Sequence, residues 1–311
     1  MRDYKVITSV LLILLFCEVP GKIRRVPQEY HNIQAAVNAC REGDTVLVSE
    51  GKYYENILIK QNIVLASLFL LDNDPAHIEK TIIDGSRLNN KLYASVIRIN
   101  GPTDTLCQVT GFTVQGGSGD PQIYPDDILF KYWMSGGGIN ITDAGARISH
   151  NNVINNNVLE FGKYNCSGGA GISAGTAREN LKSTPYVIIE YNRVTGNTAI
   201  GHWAEGGGIV LGQSGRISHN IIMYNRVNSR TRSAGGGAGI YLTSDYDIIF
   251  SDNYVRYNSA GIAGGLVSAP GIFINSEVKV LCEHGSGNRK SKARVSIVRW
   301  NLKEAGDKLS V

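Results

Sequence analysis

One short motif recurs four times along the chain and constrains its fold more than any other feature. The motif is Asn-x-(Ile/Val)-x-x-Asn, and it occupies residues 151–156, 192–197, 220–225 and 253–258. A large apolar residue stands three positions before each first asparagine, and a glycine cluster followed by a short apolar segment lies upstream. Successive motifs are 41, 28 and 33 residues apart. This spacing predicts a solenoid, in which each coil buries its apolar face against the next coil.

The repeat also predicts which residues stack on one another. The first asparagine of each motif would adopt left-handed backbone angles at a corner and bond to its equivalent in the next coil; these residues are Asn151, Asn192, Asn220 and Asn253. The apolar residue after each glycine cluster would point into the core; this column is Ile139, Ile172, Ile209, Ile240 and Leu266. The glycines would allow a sharp corner because they carry no side chain.

The N-terminal part of the chain differs from the repeat. Residues 1–17 combine a charged start with an apolar run that is too short to span a bilayer. They predict a signal peptide whose end lies between residue 17 and about residue 25, and a lipoprotein anchor at Cys17 is the alternative. Farther on, Ile33, Ala36, Val37 and Cys40 share one helix face. We expect a helix over about residues 30–41 that caps the open end of the stack.

Charge and cysteine content exclude some classes of function. The net charge is +4, but residues 278–311 hold eight Lys or Arg against three Asp or Glu, so the remainder is nearly neutral. A nucleic-acid partner would require a basic face on the body of the protein, and we expect none. Residues 276–311 lack the motif and are interpreted as a basic, atypical tail. The cysteines are widely spaced and lie near no histidine cluster with zinc spacing, so we expect buried thiols and no metal or cofactor.

Several segments resemble a known superfamily. Residues 33–57 (IQAAVNACREGDTVLVSEGKYYENI), 81–86 (TIIDGS) and 111–119 (GFTVQGGSG) resemble the pectate-lyase-like (pectin lyase fold) superfamily, and within it secreted bacterial β-helix repeat proteins of unassigned activity. The resemblance covers residues 26–275. It implies an all-β fold, a right-handed parallel β-helix behind an N-terminal capping α-helix, and a secreted or cell-surface location. Because the superfamily includes lyases, glycosidases, epimerases, adhesins and binding proteins, it implies no single activity.

Enzymes of this superfamily, as the resemblance implies, act on the outer face of one sheet and its flanking loops. The outward column after the glycine clusters would hold Asn140, Ser173, Val210, Tyr241 and Val267, none of which is a carboxylate or a strong base. A second column precedes the asparagines and holds His150, Tyr191, His219 and Asp252. Its two histidines would lie ~9.6 Å apart across an intervening coil. We therefore expect them to pack at the corner rather than bind a metal.

Four loops leave the same corner of successive coils and form the candidate site. They are residues 120–135, 159–167, 198–205 and 227–234. Their aromatic side chains, which would stack on sugar rings, are Tyr124, Tyr132, Trp133, Tyr164 and Trp203. Their charged groups are Lys163 and the candidate catalytic residues Asp126, Asp127, Glu160, His202, Glu205, Arg230 and Arg232.

The sequence thus favours a secreted or cell-surface structural and glycan-binding protein, monomeric, with an extracellular polysaccharide as its partner and without a membrane span. One alternative is a polysaccharide lyase or glycoside hydrolase that acts on an acidic polysaccharide, the only case in which calcium is expected. Another is a purely structural segment of a longer surface protein, in which the aromatic residues only fasten their own loops to the coil.

Overall fold

Short strands of successive coils stack in parallel to form the body of the protein. The computed structural model describes residues 21–87, 94–101, 106–123, 132–175, 185–230, 236–242, 247–262 and 272–274, with the backbone alone for 261, 262 and 272–274. The predicted signal peptide, the predicted column members Leu266 and Val267, and the basic tail lie outside these residues. The expected all-β parallel β-helix is confirmed.

Seven coils are described, each beginning with a strand of one long sheet; one more strand of that sheet and a helix precede the first coil and are given with it. Coils 1 and 2 contain β1 (Ile23–Val26), α1 (Ile33–Asn38), β2 (Thr45–Val48), β3 (Gly51–Tyr53), β4 (Ile57–Ile59), β5 (Val64–Ser67), α2 (Phe69–Asp72), α3 (Ala76–Lys80), β6 (Thr81–Asp84) and β7 (Ile97–Ile99). Coils 3 and 4 contain β8 (Cys107–Thr110), β9 (Thr113–Gln115), β10 (Asp120–Ile123), β11 (Tyr132–Ser135), β12 (Ile139–Thr142), β13 (Ala146–Ser149), β14 (Asn152–Ile154), β15 (Asn157–Leu159), β16 (Cys166–Gly168) and β17 (Ile172–Gly175). Coils 5, 6 and 7 contain β18 (Val187–Glu190), β19 (Arg193–Thr195), β20 (Thr198–Gly201), β21 (Trp203–Glu205), β22 (Ile209–Gly212), β23 (Gly215–Ser218), β24 (Ile221–Met223), β25 (Arg226–Ser229), β26 (Ile240–Leu242), β27 (Ile248–Ser251), β28 (Tyr254–Arg256), β29 (Ser259–Ile262) and β30 (Ile272–Ile274).

The described strands form five sheets. Sheet I is β1-β2-β5-β8-β13-β18-β23-β27, sheet II is β3-β6-β9-β14-β19-β24-β28, and sheet III is β4-β7-β12-β17-β22-β26-β30. These three sheets enclose the main hydrophobic core. Sheet IV (β15-β20-β25-β29) and sheet V (β10-β11-β16-β21) are shorter and arise from the excursions between sheets II and III. Strands of successive coils pair in parallel, whereas β10 and β11 pair antiparallel within one coil.

The predicted inward column is confirmed where it can be followed. Ile139, Ile172, Ile209 and Ile240 pair residue to residue along sheet III, and all four are fully buried. Each buried isoleucine contributes about 2–3 kcal/mol relative to an exposed one. Beyond Ile240, strand β30 pairs with β26 in the same register.

The predicted asparagine ladder is also confirmed. The side-chain Nδ2 of Asn151 donates to Oδ1 of Asn192 at 3.1 Å, Asn192 donates to Asn220 at 3.0 Å, and Asn220 donates to Asn253 at 2.9 Å. Each Oδ1 also accepts the backbone N–H of the preceding rung, such as Asn151 N at 3.0 Å from Asn192. The ladder therefore satisfies buried backbone donors that the turn leaves outside the strands.

A second ladder, which the sequence analysis did not predict, runs through the last asparagine of each motif. Asn156 donates to Asn197, Asn197 to Asn225, and Asn225 to Asn258, each at 3.0 Å. The motif itself carried the signal, because both of its asparagines recur at fixed spacing. The two ladders lie at either end of each three-residue strand of sheet II.

The prediction that the ladder asparagines have left-handed backbone angles was wrong. The residue before each asparagine has the positive φ instead: 54° at His150, 55° at Tyr191, 57° at His219 and 54° at Asp252. One left-handed residue turns the chain, and the asparagine that follows points inward, where its amide can reach the neighbouring coils.

The glycine clusters make the corner between sheets V and III, as expected. The first glycine of each cluster is left-handed, with φ of 66° at Gly136, 55° at Gly169, 54° at Gly206 and 57° at Gly237. The third glycine allows close contact between coils, since a Cβ on Gly208 would lie 2.4 Å from the carbonyl oxygen of Gly239.

The N-terminal helix is shorter than predicted but lies where it was expected. Helix α1 is capped by Asn32, whose Oδ1 accepts the N–H of Ala35 at 2.7 Å. It buries Ile33, Ala36 and Val37 against the core of the first coil. Among the described residues, no helix is long and apolar enough to cross a membrane.

The cysteines of the described part of the chain are structural. Cys40 and Cys107 are buried free thiols, and Cys166 is buried as well. Burial raises the pKa of Cys107 to about 12. A thiol that stays protonated acts as a small hydrophobic residue. The prediction that the cysteines are buried is confirmed for these positions.

Candidate functional site

Most of the described residues of the four predicted loops lie in strands, and these strands pack into a ridge along one side of the coil. We call sheets IV and V, with the turns that join them, the ridge. Its strands stack in register across coils, so the segments lie side by side as predicted. A second small core holds the ridge together; it contains Met134, Val158, Ala170, Ala199, Ala204, Val227 and Ala238. Side chains alternate between the two faces of each strand, which places these residues in the small core; in β15, for example, buried Val158 lies between the exposed residues Asn157 and Leu159.

An aromatic and cationic cluster lies at the edge of the ridge. The turn after β15 is closed by mutual backbone hydrogen bonds between Phe161 and Tyr164, at 2.8 and 3.0 Å. Tyr164 meets Tyr132 of the preceding coil edge to face, with ring centroids 5.8 Å apart. The Nζ of Lys163 lies 4.7 Å from the Tyr132 centroid and 5.5 Å from that of Tyr164. The sequence placed these tyrosines on neighbouring loops, and the structure brings them into contact.

Three of the predicted catalytic residues form a second group, which extends from the coil of Tyr164 across the next two coils. One oxygen of Glu160 pairs with Arg230, and the other accepts the backbone N–H of His202 at 2.7 Å. The backbone N–H of Arg230 donates to the carbonyl of Gly201 at 2.9 Å, which fixes β25 beside β20. The side chain of Arg230 is 59% exposed, so water screens the ion pair and its contribution to stability is small. The Glu160 carboxylate therefore links its own coil to the next two coils.

Trp203 and Glu205 lie on the same face of β21. The indole Nε1 of Trp203 donates to Oε2 of Glu205 at 3.1 Å, and Glu205 is 6% exposed. Glu205 also hydrogen-bonds to Tyr241 of sheet III. Burial, and then the nearby Glu205 carboxylate, raise the pKa of Tyr241 well above its ordinary value. Tyr241 thus stays a neutral donor to Glu205.

Trp133 is buried rather than presented to solvent. It is in register with Cys166 and Trp203 on sheet V, and its side chain is 9% exposed. Its ring covers Gly168, where an added Cβ would lie 3.4 Å from its Cζ3 atom. Trp133 therefore packs on sheet V and stabilises it, whereas Trp203 is half-buried and remains partly accessible to solvent.

The outer column of sheet III is covered, contrary to the expectation that it faces outward into solvent. Asn140, Ser173 and Tyr241 are only 4–7% exposed, and Val210 is half-buried. The ridge causes this burial: Tyr241 contacts Glu205, and Gln122 of β10 donates to Thr142 at 3.2 Å. Sequence alone could not show it, because the excursions looked like loops.

A buried carboxylate, Asp120, was missed as a functional candidate. Its Oδ1 accepts the backbone N–H of Ser95 at 2.9 Å, and Oδ2 lies 3.5 Å from Nε of Arg98. Burial raises the pKa of Asp120, although its hydrogen bonds and Arg98 oppose this. Asp120 opposes Ser135 on β11, and Ser135 is in register with Gly168 and Glu205.

Asp120 and Glu205 are too far apart to act as a pair of catalytic carboxylates. Three strand spacings separate them, about 14 Å, whereas glycosidases hold their carboxylates about 5–9.5 Å apart. The candidates Asp126, Asp127 and Arg232, and the aromatic Tyr124, lie outside the described residues.

The histidine column forms a ring stack at the corner between sheets I and II. Tyr191 lies between His150 and His219, with centroid distances of 5.1 and 4.7 Å and nearly parallel rings. Phe69 of α2 continues the stack, with its ring centroid 5.0 Å from that of His150. Burial lowers the pKa of His150. In the part of the chain that the structure describes, no group of three or more His, Cys, Asp or Glu could hold a metal ion.

Comparison with known proteins adds no relative. No family model matches the chain. No curated protein and no solved structure matches it significantly either.

Proposed function

We propose that the protein is a secreted or cell-surface β-helix protein of the pectate-lyase-like kind that binds an acidic polysaccharide along its ridge. The observation that carries the proposal is the cluster of Tyr132, Lys163 and Tyr164, which two neighbouring coils build at the edge of the ridge. Tyrosine rings can stack on the apolar faces of sugars, and their hydroxyls can bond to sugar hydroxyls.

The charges of the ridge favour an acidic sugar. Lys163 is exposed, and Arg230 is 59% exposed and only partly used by Glu160. A guanidinium has five N–H donors, so one pairing with Glu160 leaves donors for a ligand carboxylate. A uronate chain running across successive coils would meet Lys163 and then Arg230.

The test is calorimetric titration of the full chain with oligogalacturonate and oligoalginate, and with a neutral cello-oligosaccharide for comparison. Tyr164→Ala should weaken binding about tenfold, because one stacked aromatic contributes on the order of 1.4 kcal/mol. The matched control is Tyr186→Ala, which removes a 38% exposed tyrosine beside sheet I and should leave affinity unchanged. Equal affinities for wild type and Tyr164→Ala would reject the ridge as the binding site.

A second candidate function is a lyase acting on the same class of polysaccharide. It is supported by the ion pair of the Glu160 carboxylate with the Arg230 guanidinium, beside which the backbone N–H of His202 donates to Glu160. Incubation with polygalacturonate or alginate, with and without calcium, would reveal it as ultraviolet absorbance of an unsaturated product. Absorbance that Arg230→Ala abolishes would favour the lyase, and a flat trace on all substrates would exclude it for them.

A further inference from the structure

The outer face of sheet II changes its chemical character along the stack. On coils 4 and 5 its exposed side chains are polar, as at Asn155 and Arg193. On coils 6 and 7 the equivalent positions carry large apolar and aromatic residues that are 43–59% exposed: Ile221, Tyr224, Tyr254 and Tyr257. The register shows the equivalence, since Arg193 pairs with Ile221, and Ile221 pairs with Tyr254. An exposed aromatic surface confined to one stretch of a repeat is typical of a binding site.

The corner itself does not require tyrosine. Tyr224 and Tyr257 have φ of 56° and 57°, a left-handed conformation that is costly for a bulky residue. The same corner is made by Asn155 with φ of 53° and by Gly196 with φ of 69° in the two preceding coils. Tyrosine at this corner therefore costs about 1 kcal/mol relative to residues that tolerate the conformation. The turn alone therefore does not account for tyrosine at these two corners.

The tyrosines offer a ring face to a ligand. Tyr224 and Tyr257 stack with centroids 5.4 Å apart and an interplanar angle of 10°, so each ring uses one face on the other. On the coil before Tyr224 the corner residue is Gly196, which has no side chain. Beyond it, the Oδ1 atom of Asn155 lies 2.7 Å from where a Cβ of Gly196 would be. No side chain at position 196 covers the outer face of the Tyr224 ring, so that face can take the apolar face of a sugar ring.

Two arginines give this face a positive charge. The Cζ of Arg256 lies 4.6 Å from the Tyr257 centroid, and its Nη1 donates to the Tyr254 hydroxyl at 3.3 Å. Arg193 is exposed on the same face, two coils away in the same column as Tyr254. Guanidinium groups bind carboxylates well, and tyrosine supplies rigid contact area.

We propose that the outer face of sheet II on coils 5–7 is a second polysaccharide-binding surface, which takes an acidic sugar chain by stacking on Tyr224 and pairing its carboxylates with Arg193 and Arg256. This surface shares a ligand class with the ridge but uses none of its residues, so either surface can bind without the other. A second copy of the chain is the competing occupant, since tyrosine, arginine and isoleucine also suit a protein interface.

The experiment is titration of the full chain with oligogalacturonate, using substitutions taken from the chain's own corners. Tyr224→Asn with Tyr257→Asn removes the rings but keeps a residue that tolerates positive φ. Gly196→Asn fills the slot and leaves both tyrosines in place. We expect each change to weaken binding about tenfold, while circular dichroism stays that of the wild type. Ridge variant Tyr164→Ala is titrated in parallel, so failure of one surface is separable from failure of the other.

Three results would overturn the proposal. The first is unchanged affinity in both sheet II variants, whatever Tyr164→Ala does. The second is the absence of any binding of oligogalacturonate or oligoalginate by the wild type. The third is a wild-type dimer in sedimentation velocity that Tyr224→Asn with Tyr257→Asn converts to a monomer, which would assign the surface to a second copy.

Discussion

Asn192 lies in the middle of the first asparagine ladder, so replacing it with alanine tests whether the ladder holds the coils together. The residue is only 2% exposed. Its Oδ1 accepts the backbone N–H of Asn151 at 3.0 Å. Its Nδ2 donates to the carbonyl oxygens of Ile148 at 2.8 Å and Glu190 at 3.0 Å, and to Oδ1 of Asn220 at 3.0 Å. Truncation therefore removes bonds that link three consecutive coils.

The expected loss follows from these bonds. The buried N–H of Asn151 would lose its acceptor, which costs about 1–3 kcal/mol. The carbonyl groups of Ile148 and Glu190 would each lose a donor, at about 1 kcal/mol apiece. We expect Asn192→Ala to lower the free energy of unfolding by about 3–5 kcal/mol, a large part of the stability of an ordinary domain.

The measurement is urea unfolding followed by circular dichroism, with the unfolding rate at fixed urea as a second readout if refolding is incomplete. The control is Asn157→Ala, an exposed position on β15 that should change stability by no more than about 0.5 kcal/mol. Asn192→Asp keeps the acceptor and should regain stability at low pH, where a protonated carboxyl can donate. A loss below about 1 kcal/mol for Asn192→Ala, or one equal to that of the control, would refute the reasoning.

Three further predictions test other contacts. Gly208→Ala should lower the free energy of unfolding by about 2–3 kcal/mol in the same assay, because the new Cβ would lie 2.4 Å from a backbone oxygen. Gly101→Ala is the control and should be nearly neutral, because no atom lies closer than 3.7 Å to the position of its Cβ. Desolvation lowers the pKa of His77, but the hydrogen bonds of its ring to Asp72 and Glu50 outweigh desolvation and raise the pKa. The stabilising contribution of His77 should therefore be complete below its unfolded-state pKa and disappear as the pH rises through its raised folded-state pKa. If the urea midpoint of His77→Gln had the same pH dependence as that of the wild type, this prediction would be wrong. Glu190→Ala should lower the free energy of unfolding by about 2 kcal/mol, less than the roughly 3–5 kcal/mol expected when a fully buried ion pair is broken. The reason is that the side chains of its partners Arg147 and Arg216 are 44% and 41% exposed and can be hydrated. A loss above about 4 kcal/mol would show that the two arginines cannot reach water.

The solenoid itself could be predicted because its stacking contacts recur in the sequence. The spacing of Asn151, Asn192 and Asn220 gave the register of the coils, and the isoleucine column followed from it. The left-handed positions were misassigned because asparagine is a usual residue in such turns and directly follows the left-handed residue at each of these corners. In the structure, their rings stack across coils, which helps to offset the strain.

The ridge could be predicted only in part. Its segments were placed side by side, and this held because inserted segments that leave the same corner must lie on adjacent coils. Their pairing into sheets IV and V was not visible, since strands such as β16 are three residues long and contain glycine. As a result, the burial of Trp133 and of Asn140 beneath the ridge could not be foreseen. The aromatic face around Tyr224 was not predicted, because the motif shows only the positions that repeat, and this surface is formed where the repeat changes.

The most direct test of the stacked-coil account is an engineered disulfide across neighbouring coils of sheet II. Arg193 and Ile221 are Cα partners on adjacent parallel strands, about 4.8 Å apart and within disulfide reach. Arg193 and Met223 are two residues out of register, about 8 Å apart and beyond it. We expect oxidation to cross-link Arg193→Cys with Ile221→Cys, as seen by peptide mapping, and to leave Arg193→Cys with Met223→Cys reduced. A cross-link in the second pair but not in the first would contradict it.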